Sequence, residues 1–347
     1  MANKNAHNKG INPAFLAGKT ALKRKRPSVD ALTTAIIEGD VTALSQGITL
    51  VESTNRDHKK DAQALIENCL PKAVPSIRIG ITGVPGVGKS TFIEVFGSHL
   101  THLGHKVAVL AVDPSSSVSH GSILGDKTRM ESLSVNDRAF IRPSASGDTL
   151  GGVARKTREA IILCEAAGYD HIIIETVGVG QSETAVHQMT DFFLLLKLAG
   201  AGDELQGIKR GIIEMADTII INKADGENEQ AARMARNAFA KALHLYPPKS
   251  SAWLPQVTTC SALENKGITE FYTLITTYKE RTTSSGYFAK KRAQQNKYWL
   301  LQTIDSALKD NFYNHPEVAL LLPKLTKQLE ENSLSPFAAA QQLLDSI

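Results

Sequence analysis

Between residues 28 and 70 the apolar positions recur every three or four residues. Ser28 precedes Val29, Ala31, Leu32 and the run Ala35-Ile36-Ile37, Asp40 precedes Val41, Leu44, Ile48 and Val51, and a third such pattern runs from Asp57 to Leu70. This spacing gathers apolar side chains on one face of a helix, and Ser and Asp accept hydrogen bonds from the open N–H groups of a first turn. Three helices are predicted, closed by Pro71 and Pro75. From Ile77 the pattern changes. Short apolar, mostly β-branched runs at 77–82, 106–112, 138–142, 170–175, 191–196, 217–221 and 256–260 predict strands, with helical stretches near 89–103, 150–167, 226–244 and 267–281. Strands that are apolar at every position have no face to give to water. They predict an α/β fold with a mostly parallel sheet covered on both sides. After residue 285 the strand signals stop, and the rest is helical with breaks at His315-Pro316 and Ser335-Pro336. The predicted layout is a polar tail (1–27), an N-terminal helical segment (28–75), an α/β domain (76–284) and a C-terminal helical segment (285–347).

Composition narrows the class only a little. The 347 residues are 42% hydrophobic and 21% charged with a net charge of +4, which is ordinary for a globular protein. The main basic cluster, Lys23-Arg24-Lys25-Arg26, lies in the polar tail rather than on a patterned face, so no nucleic-acid partner is expected. The three cysteines are far apart and form no Cys-x-x-Cys pair, which argues against a disulfide framework or a structural zinc site and fits a reducing cytoplasm. No apolar run approaches the roughly 20 residues needed to span a bilayer, so no membrane partner is expected. No secretory signal is visible.

The chemistry begins at Gly83-Val84-Pro85-Gly86-Val87-Gly88-Lys89-Ser90, a match to G-x-x-x-x-G-K-[ST] between a predicted strand and a predicted helix. Glycines let backbone N–H groups converge on phosphate oxygens, and the helix N-terminus adds partial positive charge. Lys89 reaches the β- and γ-phosphates, and the Ser90 hydroxyl ligates Mg²⁺. Downstream, the strand at 217–221 ends in Asn222-Lys223-Ala224-Asp225, the N-K-x-D pattern that reads guanine. A carboxylate there accepts from guanine N1–H and the 2-amino group, a donor pair that adenine lacks. Ser261-Ala262-Leu263 follows the last strand and resembles the loop whose N–H contacts guanine O6. The nucleotide read is GTP rather than ATP.

Carboxylates at strand ends supply candidates for the metal. Asp113 ends the strand at 106–112, Asp126 lies in the following polar segment with Arg129, and Glu175 opens Glu175-Thr-Val-Gly178, positioned like a D-x-x-G element with Glu for Asp. Gly178 can donate its N–H to a γ-phosphate. Gln181 is off the spacing of a Ras-type glutamine. Residues 199–210 form a Gly-rich charged connector from which Lys209 or Arg210 could approach the phosphates.

Together these strings resemble the methylmalonyl-CoA mutase-associated GTPases, known as MeaB, ArgK or LAO/AO transport ATPases, within the SIMIBI class of P-loop GTPases. The resemblance is carried by Gly80 to Thr91, Ala111 to Ser116, Gly121 to Met130, Glu175 to Glu183, Ala201 to Lys209 and Asn222 to Asp225, and it extends over roughly residues 28–345. It implies a P-loop GTPase fold, GTP and GDP as substrate and product, and Mg²⁺ at Ser90, Asp113, Asp126 and Glu175. It implies catalytic contributions from Lys89, Asp113, Arg129 and Lys209, with Asp203, Gln206 and Lys209 on a partner-sensing loop. Nucleotide contacts would run from Gly83 to Thr91 and include Gly178, Asn222, Lys223, Asp225 and Ser261 to Leu263. The implied role is a homodimeric G-protein chaperone that gates cofactor loading into an adenosylcobalamin-dependent acyl-CoA mutase and protects the holoenzyme, with the C-terminal helices as the dimerisation arm. Three other readings stay open: a P-loop kinase of amino-acid transport, a nickel-insertion GTPase, and a scaffold that binds GTP without hydrolysing it. Against the first stands Asn222-Lys223-x-Asp225, and against the second the scattered histidines and unpaired cysteines.

Overall fold

The structure is a computed structural model that describes residues 27–55, 57–112, 130–143, 150–176, 182–200 and 210–347. Three N-terminal helices, α1 (Val29–Ile37), α2 (Val41–Glu52) and α3 (His58–Cys69), stand where the apolar spacing places them. The first two are capped as expected: Ser28 accepts from Ala31 N–H at 3.2 Å, and Asp40 from Ala43 N–H at 2.8 Å, while Asp57 before α3 makes no side-chain cap bond. Pro71 does not simply end the segment, since it sits inside a 3₁₀ turn, Leu70–Lys72, at a position where its missing N–H has no partner to lose.

The α/β region alternates β1 (Ile77–Gly83), α4 (Lys89–His102), β2 (Val107–Val112), α5 (Glu131–Ser134), β3 (Ala139–Arg142), α6 (Leu150–Ala166), β4 (His171–Thr176), α7 (Ser182–His187), β5 (Phe192–Leu198), α8 (Arg210–Met215), β6 (Thr218–Asn222), α9 (Glu229–Leu243), β7 (Gln256–Thr259) and α10 (Ile268–Ser284). All seven predicted strands form, their ends shifted by a residue or two. They pair in the order β3-β2-β4-β1-β5-β6-β7, every ladder parallel. Three short helices, α5, α7 and α8, were not in the pattern. At four to six residues they are too short to show a helical period and are held by tertiary packing.

Strand side chains alternate between the two faces of the sheet, each packed by its own buried clusters. Ile172 and Ile174 of β4 face one layer with Leu32, Leu44, Ile48 and Leu65 of the N-terminal helices and Ile161 and Cys164 of α6. Ile173 faces the other, with Phe92 and Phe96 of α4 and Phe271 and Ile275 of α10. The N-terminal helices therefore share the sheet's own core. At the far end follow α11 (Tyr287–Tyr313), α12 (Pro316–Glu330) and α13 (Pro336–Leu344), breaking at the two proline sites. Helices α12 and α13 bury Val318, Leu325, Ala339 and Leu343 in a small cluster of their own.

A candidate nucleotide site

Because the sheet is parallel, every strand delivers its carboxyl end to one rim, and β1, the central strand there, runs into the turn Gly83–Gly88 before α4. Close packing dictates the glycines. A Cβ on Gly83 would lie 2.6 Å from the Leu196 carbonyl of β5, and one on Gly88, at φ 93°, would lie 2.8 Å from Asn222 Nδ2. Lys89 is buried, and its ammonium donates to the Gly83 carbonyl at 2.9 Å and the Val84 carbonyl at 3.5 Å. The cation is thus anchored over a loop whose N–H groups and helix N-terminus favour an anion. Ser90 is half-buried in the first turn of α4, and Thr91 is exposed behind it.

Farther along the same rim β6 ends in Asn222, which is 1% exposed. Its Nδ2 donates to the Val87 carbonyl at 2.9 Å, and its Oδ1 accepts from Ala262 N–H at 3.4 Å. One amide side chain therefore ties the phosphate loop to the loop after β7. Lys223 takes φ 58°, and its carbonyl accepts from Asn228 Nδ2 at 2.6 Å. Ala224 N–H donates to the Cys260 carbonyl at 3.0 Å. The Ser261 hydroxyl donates to Asp225 Oδ2 and in turn accepts from Glu264 N–H at 3.1 Å. Ser261 is wholly buried, so this bond fixes the rotation of the Asp225 carboxylate. Ala262 is buried, while Leu263 is 84% exposed. Burial pushes the Cys260 thiol up to about 12, so Cys260 packs rather than reacts.

On the phosphate side, Glu175 is nearly buried beside Ile81 of β1 and Ala111 of β2, and the Thr176 hydroxyl donates to that of Thr82 at 2.9 Å. A buried carboxylate on this rim and a hydroxyl in the first turn of α4 are oxygen donors of the kind Mg²⁺ takes. Asp113, Asp126, Arg129, Gly178, Gln181, Asp203, Gln206 and Lys209 lie outside the described residues, as does the side chain of Arg210. Of the sequence-derived set, the structure gathers on one rim Gly83 to Thr91, Glu175, Asn222 to Asp225 and Ser261 to Leu263. The Thr82–Thr176 pair and the Ser261–Asp225 bond were not read from sequence; no local pattern joins residues 94 and 36 positions apart. A groove of about 420 Å³ lined by Thr258, Ser261, Arg233 and Lys266 abuts the base loop but includes no residue of the phosphate loop.

The family model described as methylmalonyl Co-A mutase-associated GTPase MeaB matches residues 44–317. A putative GTPase of Caulobacter vibrioides is 52% identical over 91% of this chain and 97% of its own length. The mitochondrial methylmalonic aciduria type A homolog of Mus musculus is 46% identical over 91% of this chain and 79% of its own. Among solved structures, a LAO/AO transport system kinase superposes with a TM-score of 0.70 at 37% identity, covering 97% of this chain and 99% of that one.

Proposed function

The chain belongs to the methylmalonyl-CoA mutase-associated GTPase family, and from that premise we propose that it is a Mg²⁺-dependent GTP hydrolase serving as chaperone to an adenosylcobalamin-dependent acyl-CoA mutase in the cytoplasm. The observation that carries the nucleotide reading is the pair of hydrogen bonds that Asn222 makes, donating to the Val87 carbonyl and accepting from Ala262 N–H, which couples phosphate binding to base reading through a single side chain. Asp225, oriented by Ser261, accepts from guanine N1–H and the 2-amino group. Lys223 lays its stem along the ring, and Ser261 to Leu263 present backbone N–H to O6. Lys89 and the N–H groups of Gly83 to Thr91 hold the phosphates, with Gly178 at the γ-position. Ser90, Asp113, Asp126 and Glu175 are the oxygen donors for Mg²⁺, which supplies charge neutralisation at the β- and γ-oxygens when bound. Asp113, Arg129 and Lys209 complete the catalytic set, with Lys209 carried on the segment through which a partner alters the rate.

The partner reading rests on the family description and on the name of the murine relative. A homodimer is supported by Leu300, Ile304 and Leu308, spaced four residues apart on α11 and 45–62% exposed. The decisive experiment is nucleotide titration with a hydrolysis assay, run with and without a cobalamin mutase from the same source. Preferential binding of GTP and faster hydrolysis with the mutase are expected. Equal affinity for ATP defeats the base assignment, and a rate indifferent to every mutase defeats the partner. The solved neighbour described as a kinase motivates one control, a test for labelled γ-phosphate passing from ATP to protein.

A further inference from the structure

The opposite rim of the sheet, where the strands begin, carries a second convergence of ligand-type side chains. His105 lies in the turn before β2, and Asp170 and His171 stand where the chain enters β4. Since β2 and β4 are parallel neighbours with Val107 opposite His171, their entry points meet. His105 Nδ1 lies 2.9 Å from Asp170 Oδ2, and His171 Nδ1 lies 3.0 Å from Asp170 Oδ1. The two rings are 4.2 Å apart between centroids, and one ligand atom from each residue lies within 4.8 Å of the other two. Lys106 N–H donates to Asp170 Oδ1 at 3.1 Å, and the Tyr272 hydroxyl of α10 is 3.0 Å from His105 Nε2. Among the described residues this is the one group of His, Cys, Asp and Glu side chains with such convergence. It lies at the far end of the strands from the phosphate loop.

We propose that His105, Asp170 and His171 bind one divalent transition-metal ion of the zinc type, with water as the fourth ligand. Two imidazole nitrogens and a carboxylate oxygen are the donor set such ions prefer over Mg²⁺ or Ca²⁺. A tetrahedral ion with bonds of about 2.0–2.1 Å holds its ligand atoms roughly 3.3 Å apart. The two rings now contact different oxygens of Asp170, so rotation of the carboxylate brings one oxygen toward both nitrogens, and ligand atoms already within 4.8 Å of one another close by about 1.5 Å or less as the His105 ring turns. His171 is the fixed ligand, its side chain 8% exposed; His105 at 27% and Asp170 at 38% can adjust and leave an approach from solvent. The ion takes the place of the two N–H protons between rings and carboxylate. Each neutral ring then carries its proton on Nε2, so no charge is created on the imidazoles. His105 Nε2–H donates to the Tyr272 oxygen, the outer hydrogen bond that orients a ligating histidine. The bound ion would pin the entries of β2 and β4 and, through Tyr272, α10.

The test uses the full chain, stripped with chelator and titrated with Zn²⁺ in the presence of Mg²⁺ and GDP, which occupy the nucleotide site. One zinc per chain is expected, with a raised Tm, and Co²⁺ should give the visible bands of a four-coordinate ion. His105→Asn and Asp170→Asn should each weaken zinc binding by about tenfold or more while retaining GDP binding. His105→Asn is the safer variant because it leaves the contacts of Asp170 with Lys106 N–H and His171 in place. Absence of stoichiometric zinc overturns the proposal, as does stoichiometric zinc whose affinity neither substitution changes.

Discussion

At the scale of single residues the nucleotide site turns on donor and acceptor identity. Asp225 is the proposed reader of guanine because a carboxylate only accepts, and the Ser261 hydroxyl fixes its rotation. Asp225→Asn replaces one acceptor by a donor that opposes the guanine amino group. GTP affinity should fall about 30- to 100-fold, the worth of roughly 2–3 kcal/mol of charged hydrogen bonding, and XTP, with a carbonyl at that position, should bind better than before. Unchanged GTP affinity in a fluorescent-nucleotide titration would remove Asp225 from this role. A second residue governs pH dependence. Burial, helped by the Lys291 cation, pushes His187 down from 6.5 to about 4. Between those values the unfolded chain holds a proton that the folded chain does not, so stability is full above pH 6.5 and is lost as pH falls toward 4. Urea unfolding should show about 2 kcal/mol less stability at pH 5 than at pH 7 from this group. His187→Gln should flatten that difference, and an unaltered pH profile in the variant would assign it elsewhere. Asn222, Asp225 and Lys89 were legible because their chemistry is local to a motif. Ser261 as the clamp of Asp225 was not, because the contact exists only once β6 and β7 pair.

At the scale of elements, periodicity found every strand and every helix long enough to express a period, while α5, α7 and α8 escaped it. A charged junction between elements was also invisible in the sequence. Arg292 of α11 donates to both oxygens of Asp191 at 2.9 and 2.7 Å and to the Ser76 carbonyl at 2.9 Å. Asp191 accepts from Arg78 N–H at 2.8 Å, and the Arg78 guanidinium grips Glu165 of α6 at 2.8 and 2.9 Å. Burial alone would raise the Asp191 carboxyl, but Arg292 and Arg78 hold it below the usual carboxylate range. Gln295 and Trp299 extend the grip to the carbonyls of Thr190 and Gln188. Arg292→Ala leaves a 1% exposed carboxylate without its main partner and should cost about 3 kcal/mol. A loss below about 1 kcal/mol in urea unfolding would show that Arg78 and solvent suffice.

At the scale of the molecule, that junction divides α11 into a half bound to the sheet and a half that projects an apolar stripe, Leu300, Leu301, Ile304 and Leu308. Removing residues 286–347 would therefore uncover Asp191 as well as the arm, so point substitutions are the cleaner probe of assembly. The double substitution Ile304→Glu and Leu308→Glu should convert a dimer to a folded monomer in sedimentation, since burying two carboxylates in an apolar contact costs several kcal/mol. A wild-type chain that sediments as a monomer at high concentration would contradict the dimer itself. The segment layout also reads differently in three dimensions: residues 29–69 are contiguous in sequence but complete the core of one sheet face together with α6.

The sequence by itself determined the strands, the long helices and the motif chemistry, because helical and strand periods, caps, the glycines of the phosphate turn and the acceptor pattern of Asp225 are all properties of neighbouring residues. Tertiary structure alone decided the strand order, which sets which motifs share a rim. It decided that Asn222 clasps Val87 to Ala262, that Arg292 bears on Asp191, and that His105 meets Asp170 and His171. Each of these joins residues from 40 to 135 positions apart, and a parallel sheet brings such residues together only through crossovers whose order no local pattern encodes.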